Sequence, residues 1–126
     1  MLEVRLVARC FPTEEKDKVA KAMSSLFPDI RLEGDDPIVG TSLSTDRFAE
    51  QLKRQKIRDS ARAVLRRGIR GNSTSFRINK QVAAVGKISF SEESHPLGDI
   101  EVTVFSDGIE QLIDSIAPST RTEATR

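Results

Sequence analysis

Residues 54–79 read RQKIRDSARAVLRRGIRGNSTSFRIN, and they change character halfway along. In the first half Ile57, Ala61, Val64 and Leu65 recur at helical spacing. At about 100° per residue they share roughly a third of the circumference. In the second half Phe76 and Ile78 alternate with Ser75 and Arg77, as in a half-buried strand. Gly68 or Gly71 can end the helix. The stretch carries seven arginines and one lysine, and its only acid is Asp59.

Upstream lies a second, shorter helix. Ser44 or Thr45 can cap it, Asp46 follows, and Phe48, Ala49 and Leu52 give it an apolar face. Ile57 falls five residues after Leu52, not three or four. This slip in phase predicts a kink or break near residues 54–56. Two helices thus come in succession before the chain turns to strand.

The remaining elements fall into place around this pair. Leu2, Val4, Leu6 and Ala8 alternate with Glu3, Arg5 and Arg9, so residues 2–11 read as a strand ended by Pro12. Thr13 is the expected cap of a first helix with the stripe Val19, Ala22, Met23, Leu26 and Phe27, which Pro28 stops. Ile30 and Leu32 suggest a short strand, EGDDP a turn, and Ile38, Val39 and Leu43 a pairing segment. After Ile78, NKQVAAVG admits two readings: continued strand, or one helical turn capped by Asn79 and closed by Gly86. Ile88 and Phe90 alternate like a strand, and SEESHPLGD reads as a loop. Ile100, Val102, Val104 and Phe105 form a late strand. Ile109, Leu112, Ile113 and Ile116 form a last amphipathic helix before Pro118.

The resulting order, β α β(β) α α β β β α, is not strictly alternating. It argues against a doubly wound parallel sheet and for an α+β fold: an antiparallel or mixed sheet with helices packed on one face. The chain of 126 residues fits a single domain over 1–118, with 119–126 as a frayed C-terminal tail. No run approaches the roughly 18 apolar residues of a membrane span, and the N-terminus lacks a signal peptide's apolar core. The expected location is cytoplasmic, with no membrane partner. Cys10, the sole cysteine, excludes an internal disulfide and multi-cysteine zinc sites, and reads as a buried thiol.

The net charge of +1 hides a partition. Residues 47–80 hold eleven Lys/Arg against Glu50 and Asp59, while the rest of the chain has nine basic and seventeen acidic residues. Arg58, Arg62 and Arg66 step along one helix at i, i+4, where like charges repel unless something answers them. The preference for arginine suits bidentate contact to phosphate. Acids elsewhere in the fold, or an acidic partner surface, are the alternative answers.

Other motifs weigh less. GIRG, residues 68–71, matches the GxxG loop of KH domains, but the following NSTSFRI looks extended where that domain needs a helix. Asn72, Ser73 and Thr74 could still add hydrogen bonds to phosphate. With no Trp or Tyr and six scattered Phe, base stacking has little support. His95, the only histidine, reads as a loop residue. Asp35–Asp36, Glu92–Glu93 and Asp99 read as solvated loop acids. No nucleotide-binding or nucleophile motif is present, so neither an enzyme nor a cofactor or metal is expected.

At KIRDSARAVLRRGIRGNSTSFRINKQVAAVGKISF and HPLGDIEVTV the chain resembles a functionally uncharacterised archaeal family of small proteins described as predicted RNA-binding. DSAR, GIRGN, NKQVAAVGKISF and PLGDI are the most specific parts of the match, which runs from residue 1 to about 118. The resemblance implies an α+β fold similar to the ribosomal protein that binds 5S rRNA, with a distant likeness to double-stranded-RNA-binding domains. It therefore implies RNA, structured or double-stranded, as the partner. The residues expected to contact it are Lys56, Arg58, Arg62, Arg66, Arg67, Arg70, Asn72 and Lys80. The rival reading is a protein-interaction or homodimer module that sets the basic helix against an acidic surface. A small-molecule phosphate enzyme ranks last.

Overall fold

A computed structural model of the chain describes residues 2–91 and 98–119. Six strands form one sheet: β1 (Leu2–Ala8), β2 (Arg31–Glu33), β3 (Ile38–Ser42), β4 (Ile69–Arg70), β5 (Ser73–Asn79) and β6 (Asp99–Ser106). Their order across the sheet is β2-β3-β1-β6-β5-β4, and every pairing is antiparallel. Five helices accompany them: α1 (Lys16–Leu26), α2 (Asp46–Arg54), α3 (Arg58–Arg67), α4 (Lys80–Ala84) and α5 (Ile109–Ile116). The α+β expectation holds, with the sheet antiparallel throughout.

Period-two patterning makes the sheet one-sided. Val4, Leu6 and Ala8 of β1, Ile100, Val102 and Val104 of β6, and Phe76 and Ile78 of β5 are all buried. They join Val19, Ala22, Met23 and Leu26 of α1, Leu52 of α2, Ala61 and Leu65 of α3 and Ile113 of α5 in one core. Phe27 stacks on Phe48 (centroids 5.7 Å apart), and Phe48 meets Phe76 (5.5 Å). Alternate strand residues lie on the opposite, open face.

The break between α2 and α3 has a specific form. Ile57 N–H donates to the Leu52 carbonyl (3.1 Å) and Lys56 N–H to that of Lys53 (3.1 Å). This is the paired pattern of a Schellman motif, with Lys56 at the left-handed position. The five-residue spacing puts Leu52 and Ile57 at the two positions whose apolar side chains commonly accompany this motif. Lys56 has φ +57°, where glycine is usual.

Gly68 ends α3 as expected, for a reason of space. A Cβ there would be driven into the Ser75 carbonyl oxygen of β5. Gly71 (φ +60°) then turns the β4–β5 hairpin. GIRG is thus the entry to a hairpin and not a helix-flanked KH loop.

Two local readings need correction, and one open choice is decided. Thr13 does not cap α1: Glu14 N–H donates back to the Phe11 carbonyl (2.8 Å), and the helix starts after Glu15. Between the two readings of NKQVAAVG the helical one holds, since Asn79 Oδ1 accepts from Val82 N–H (2.9 Å). Ile88–Phe90 makes only a single bridge, Phe90 to Ile78. The bridge is held by Asn79 N–H to the Ser89 carbonyl (2.8 Å) and Ser91 N–H to that of Arg77 (2.9 Å), whereas at Ile88 the Gln55 side chain accepts from the N–H (2.7 Å) and donates to the carbonyl (2.9 Å) in place of a partner strand. His95, Glu92–Glu93 and residues 120–126 of the tail lie outside the described residues. Among the described residues no helix is long and apolar enough to cross a membrane.

Candidate nucleic-acid interface

The basic segment wraps one side of the molecule, from the α2–α3 elbow along α3 to the β4–β5 turn. Ala61 and Leu65 anchor α3 in the core. With that face inward, Arg58, Arg62 and Arg66 lie along the flank towards α5. At 1.5 Å rise per residue, α3 spreads these three charges over about 12 Å.

Two of the three are answered from within. Arg62 Nη1 donates to Asp114 Oδ1 (2.5 Å) and to the Ala117 carbonyl (3.3 Å). Arg66 lies 3.7 Å from Glu110. Asp114 and Glu110 are four residues apart on α5, as Arg62 and Arg66 are on α3, so the helices form a two-rung antiparallel ladder. The expectation that this arginine row stands free is thereby corrected. The rungs differ: the Arg62 side chain is 24% exposed, whereas that of Arg66 is 47% exposed and its contact is longer.

Lys56 and Arg58 have no carboxylate within 4.0 Å among the described residues. Nor does Lys53, in the last turn of α2, which the sequence reading passed over although it belongs to the same charge run. Arg54, by contrast, pairs with Glu50 (2.8 Å). At the far end of α3, exposed Arg70 spends one donor on the Ile69 carbonyl (2.9 Å), and Asn72 is exposed beside it. Arg67 is exposed on α3's last turn and has a partner in the fold.

Two expected contacts move elsewhere. Lys80 is 4% exposed; its Nζ donates to Glu14 Oε1 (2.9 Å) and to the Arg9 carbonyl (2.8 Å), above the Phe11 ring. It is a buried structural cation, held inside because its charge is paired and hydrogen-bonded. Thr74 is also buried, and its hydroxyl donates to the Leu65 carbonyl (2.5 Å) at the end of α3. Ser73 donates to the Arg70 carbonyl (3.0 Å).

The loop acids are likewise in use. Asp36 accepts from Arg9 Nε (2.6 Å), Arg9 Nη2 (3.0 Å) and Cys10 N–H (3.1 Å), and Asp35 pairs with Lys16. The Arg9 guanidinium first, then the Cys10 amide, hold the Asp36 carboxyl below the usual range. Asp29 is lowered by the Ser42 hydroxyl (2.5 Å), then by Leu43 N–H (3.0 Å). Cys10 is half-buried. Among the described residues no three His, Cys, Asp or Glu side chains converge as metal ligands would.

Fold and flank together define a class: small α+β proteins with a one-sided antiparallel sheet and a basic helix pair along one side. Within it, the family model described as "RNA binding" matches residues 3–105. The chain is 40% identical over 122 residues to a UPF0201 protein of Methanothermobacter thermautotrophicus, covering 94% of this chain and 92% of that one. A crystal structure of a UPF0201 protein from Methanococcus jannaschii superposes with a TM-score of 0.85 at 38% identity, over 93% of each chain. A UPF0200/UPF0201 protein of Archaeoglobus fulgidus is 36% identical over 95% of this chain, which spans only 38% of that longer protein. The chain belongs to the UPF0201 family.

Proposed function

We propose that this protein binds RNA, gripping the phosphate backbone with the α2–α3 elbow, the outer flank of α3 and the β4–β5 turn. Lys53, Lys56 and Arg58, unpaired among the described residues, supply cations at one end. Arg66, Arg67, Arg70 and Asn72 continue the track, and Arg62 fixes α3 against α5. The observation that carries the reading is Lys56. An exposed lysine with no ion-pair partner among the described residues occupies the left-handed position of a Schellman motif, where glycine would be less strained. Strain kept at an exposed cation fits a side chain retained for a ligand. The family model described as RNA binding supports the same conclusion.

Structured or duplex RNA fits better than a stacked single strand. Phe27, Phe48 and Phe76 are buried, and the exposed Phe105 is a lone ring on the open sheet face, beside Asn72 at one end of this track. Phosphates and shape would then be read more than bases. The test is fluorescence anisotropy with a labelled hairpin RNA and a single strand of equal length, across a salt series. Replacing Lys56 and Arg58 by alanine should weaken hairpin binding by roughly tenfold or more at 0.1 M salt and reduce the salt slope by about 1.4–1.8. Equal affinity and slope for wild type and double variant would refute this assignment.

A further inference from the structure

The open face of the sheet carries its charges in rows. Register places Ser75, Thr103, Arg5, Thr41 and Arg31 side by side across five strands. The next open-face row is Arg77, Glu101, Val7, Val39 and Glu33. The first row holds two arginines and no acid; the second holds two glutamates. Arg5, Arg31, Glu33 and Glu101 are all exposed, and none has an ion-pair partner within 4.0 Å among the described residues. Arg77 has a partner of its own. Apart from Arg77, the charges of these adjacent rows of opposite sign are unpaired among the described residues and form a self-complementary pattern.

We infer that this face is an isologous interface between two copies of the chain. A two-fold axis running across the strands between the rows sets the arginine row of one copy over the glutamate row of the other, and the reverse. Arg5 then reaches Glu101 of the second copy near the centre of the contact. The same axis pairs Phe105 with the region of Asp99 on β6. Phe105 is 41% exposed, and a hollow of about 290 Å³ lined by Val7, Arg9, Gly98 and Asp99 among others opens there to receive its ring. RNA suits this face less, because its unpaired carboxylates, Glu3 among them, oppose a polyanion.

Strand spacings of about 4.8 Å and rises of about 3.3 Å give the face a footprint of roughly 400 Å². That is about half the ~800 Å² per partner of a standard stable complex, so the dimer is weak and concentration-dependent. The nucleic-acid track lies at the β4 edge of the sheet and the β2 charges at the other, so the two readings stand or fall separately.

Sedimentation equilibrium on the full chain without RNA tests the inference. Wild type should pass from 14.0 kDa towards twice that mass as concentration rises. Two variants reverse one row each: Arg5→Glu/Arg31→Glu and Glu33→Arg/Glu101→Arg. Each alone should dimerise at least about tenfold more weakly. Mixed in equal amounts, they should recover a heterodimer, because each new row faces its complement. A wild type that stays monomeric overturns the inference. So do variants that dimerise as well as wild type, or fail to recover on mixing while their thermal unfolding shows them folded. A monomeric protein whose Arg5/Arg31 variant loses RNA affinity beyond the change in net charge would reassign the face to nucleic acid.

Discussion

Neutralising the two acids of the interhelix ladder should make this protein a tighter RNA binder and a slightly less stable fold. Glu110→Gln and Asp114→Asn keep shape and hydrogen-bonding capacity while removing the charges that face Arg66 and Arg62. If the α3 flank meets phosphate, each freed guanidinium can add a phosphate contact. Counterion release then contributes a salt slope of about 0.7 per contact for a single strand and 0.9 for a duplex. At about 0.1 M salt, one added contact raises affinity by roughly five- to eightfold. Two contacts give an upper limit of roughly 25- to 60-fold, fading towards nothing at 1 M. Arg66 should supply most of the gain, since it is the more exposed and the more loosely held. The stability cost is small: exposed ion pairs contribute about 0.2–1 kcal/mol each, so the double variant should lose about 1 kcal/mol and a few degrees of Tm. Anisotropy titrations at several salt concentrations, with thermal denaturation alongside, measure both. A variant that loses stability as expected yet binds with unchanged affinity and slope would show that RNA does not approach the α3–α5 flank.

The other expectations concern single sites. Lys56→Gly should stabilise the fold by up to about 1 kcal/mol by relieving the left-handed backbone and weaken RNA binding, whereas Lys56→Ala should weaken binding without that gain; chemical denaturation and anisotropy separate the two. Lys80→Ala should cost roughly 2–3 kcal/mol, because it leaves the half-buried Glu14 without its cation, while RNA affinity of the protein that remains folded stays unchanged; a large loss of affinity with normal stability would return Lys80 to the interface. Asp29 and Asp36 have lowered carboxyl pKa values in the fold. Their contribution is therefore present above the unfolded carboxyl value near 4 and lost as pH falls through the lower folded value. Asp29→Asn and Asp36→Asn should each reduce stability at neutral pH and flatten its decline on acidification, measured by urea denaturation at pH 7 and pH 3.

Much of the fold was legible because its elements obey simple periods. The strand alternation in β1, β5 and β6 and the helical stripes of α1, α3 and α5 all lie where side-chain period places them. The α2–α3 break was visible as the slip from Leu52 to Ile57, although its nature as a Schellman turn needed the backbone. The Ile88–Phe90 segment misled for a physical reason. Alternation signals one buried side and one exposed side, but says nothing about what satisfies the backbone: here β5 does so at Ser89 and Ser91, and the Gln55 amide of α2 takes over at Ile88. Thr13 misled similarly: it has a capping residue's chemistry, while the turn closed by Glu14 and Phe11 delays the helix past it.

The site was legible in composition and not in pairing. A run of eleven cations against two acids is written in the chain, yet which of them a ligand can reach depends on contacts up to 71 residues apart, as between Lys80 and Arg9. One clue was available: Glu110 and Asp114 repeat the four-residue step of Arg62 and Arg66, and matched steps on two helices of opposite charge suit an antiparallel ladder. Long-range pairing also explains how so uneven a charge distribution stays folded. The acids of α5 moderate repulsion in the middle of α3, and unpaired cations remain at the elbow, where exposure lowers the repulsive cost. A uniformly free row would bind polyanions more strongly but would bring several like charges together along one helix with nothing to offset them. The ladder leaves cation excess at the ends of α3 and a stabilised centre, a division that the Glu110→Gln/Asp114→Asn variant would remove.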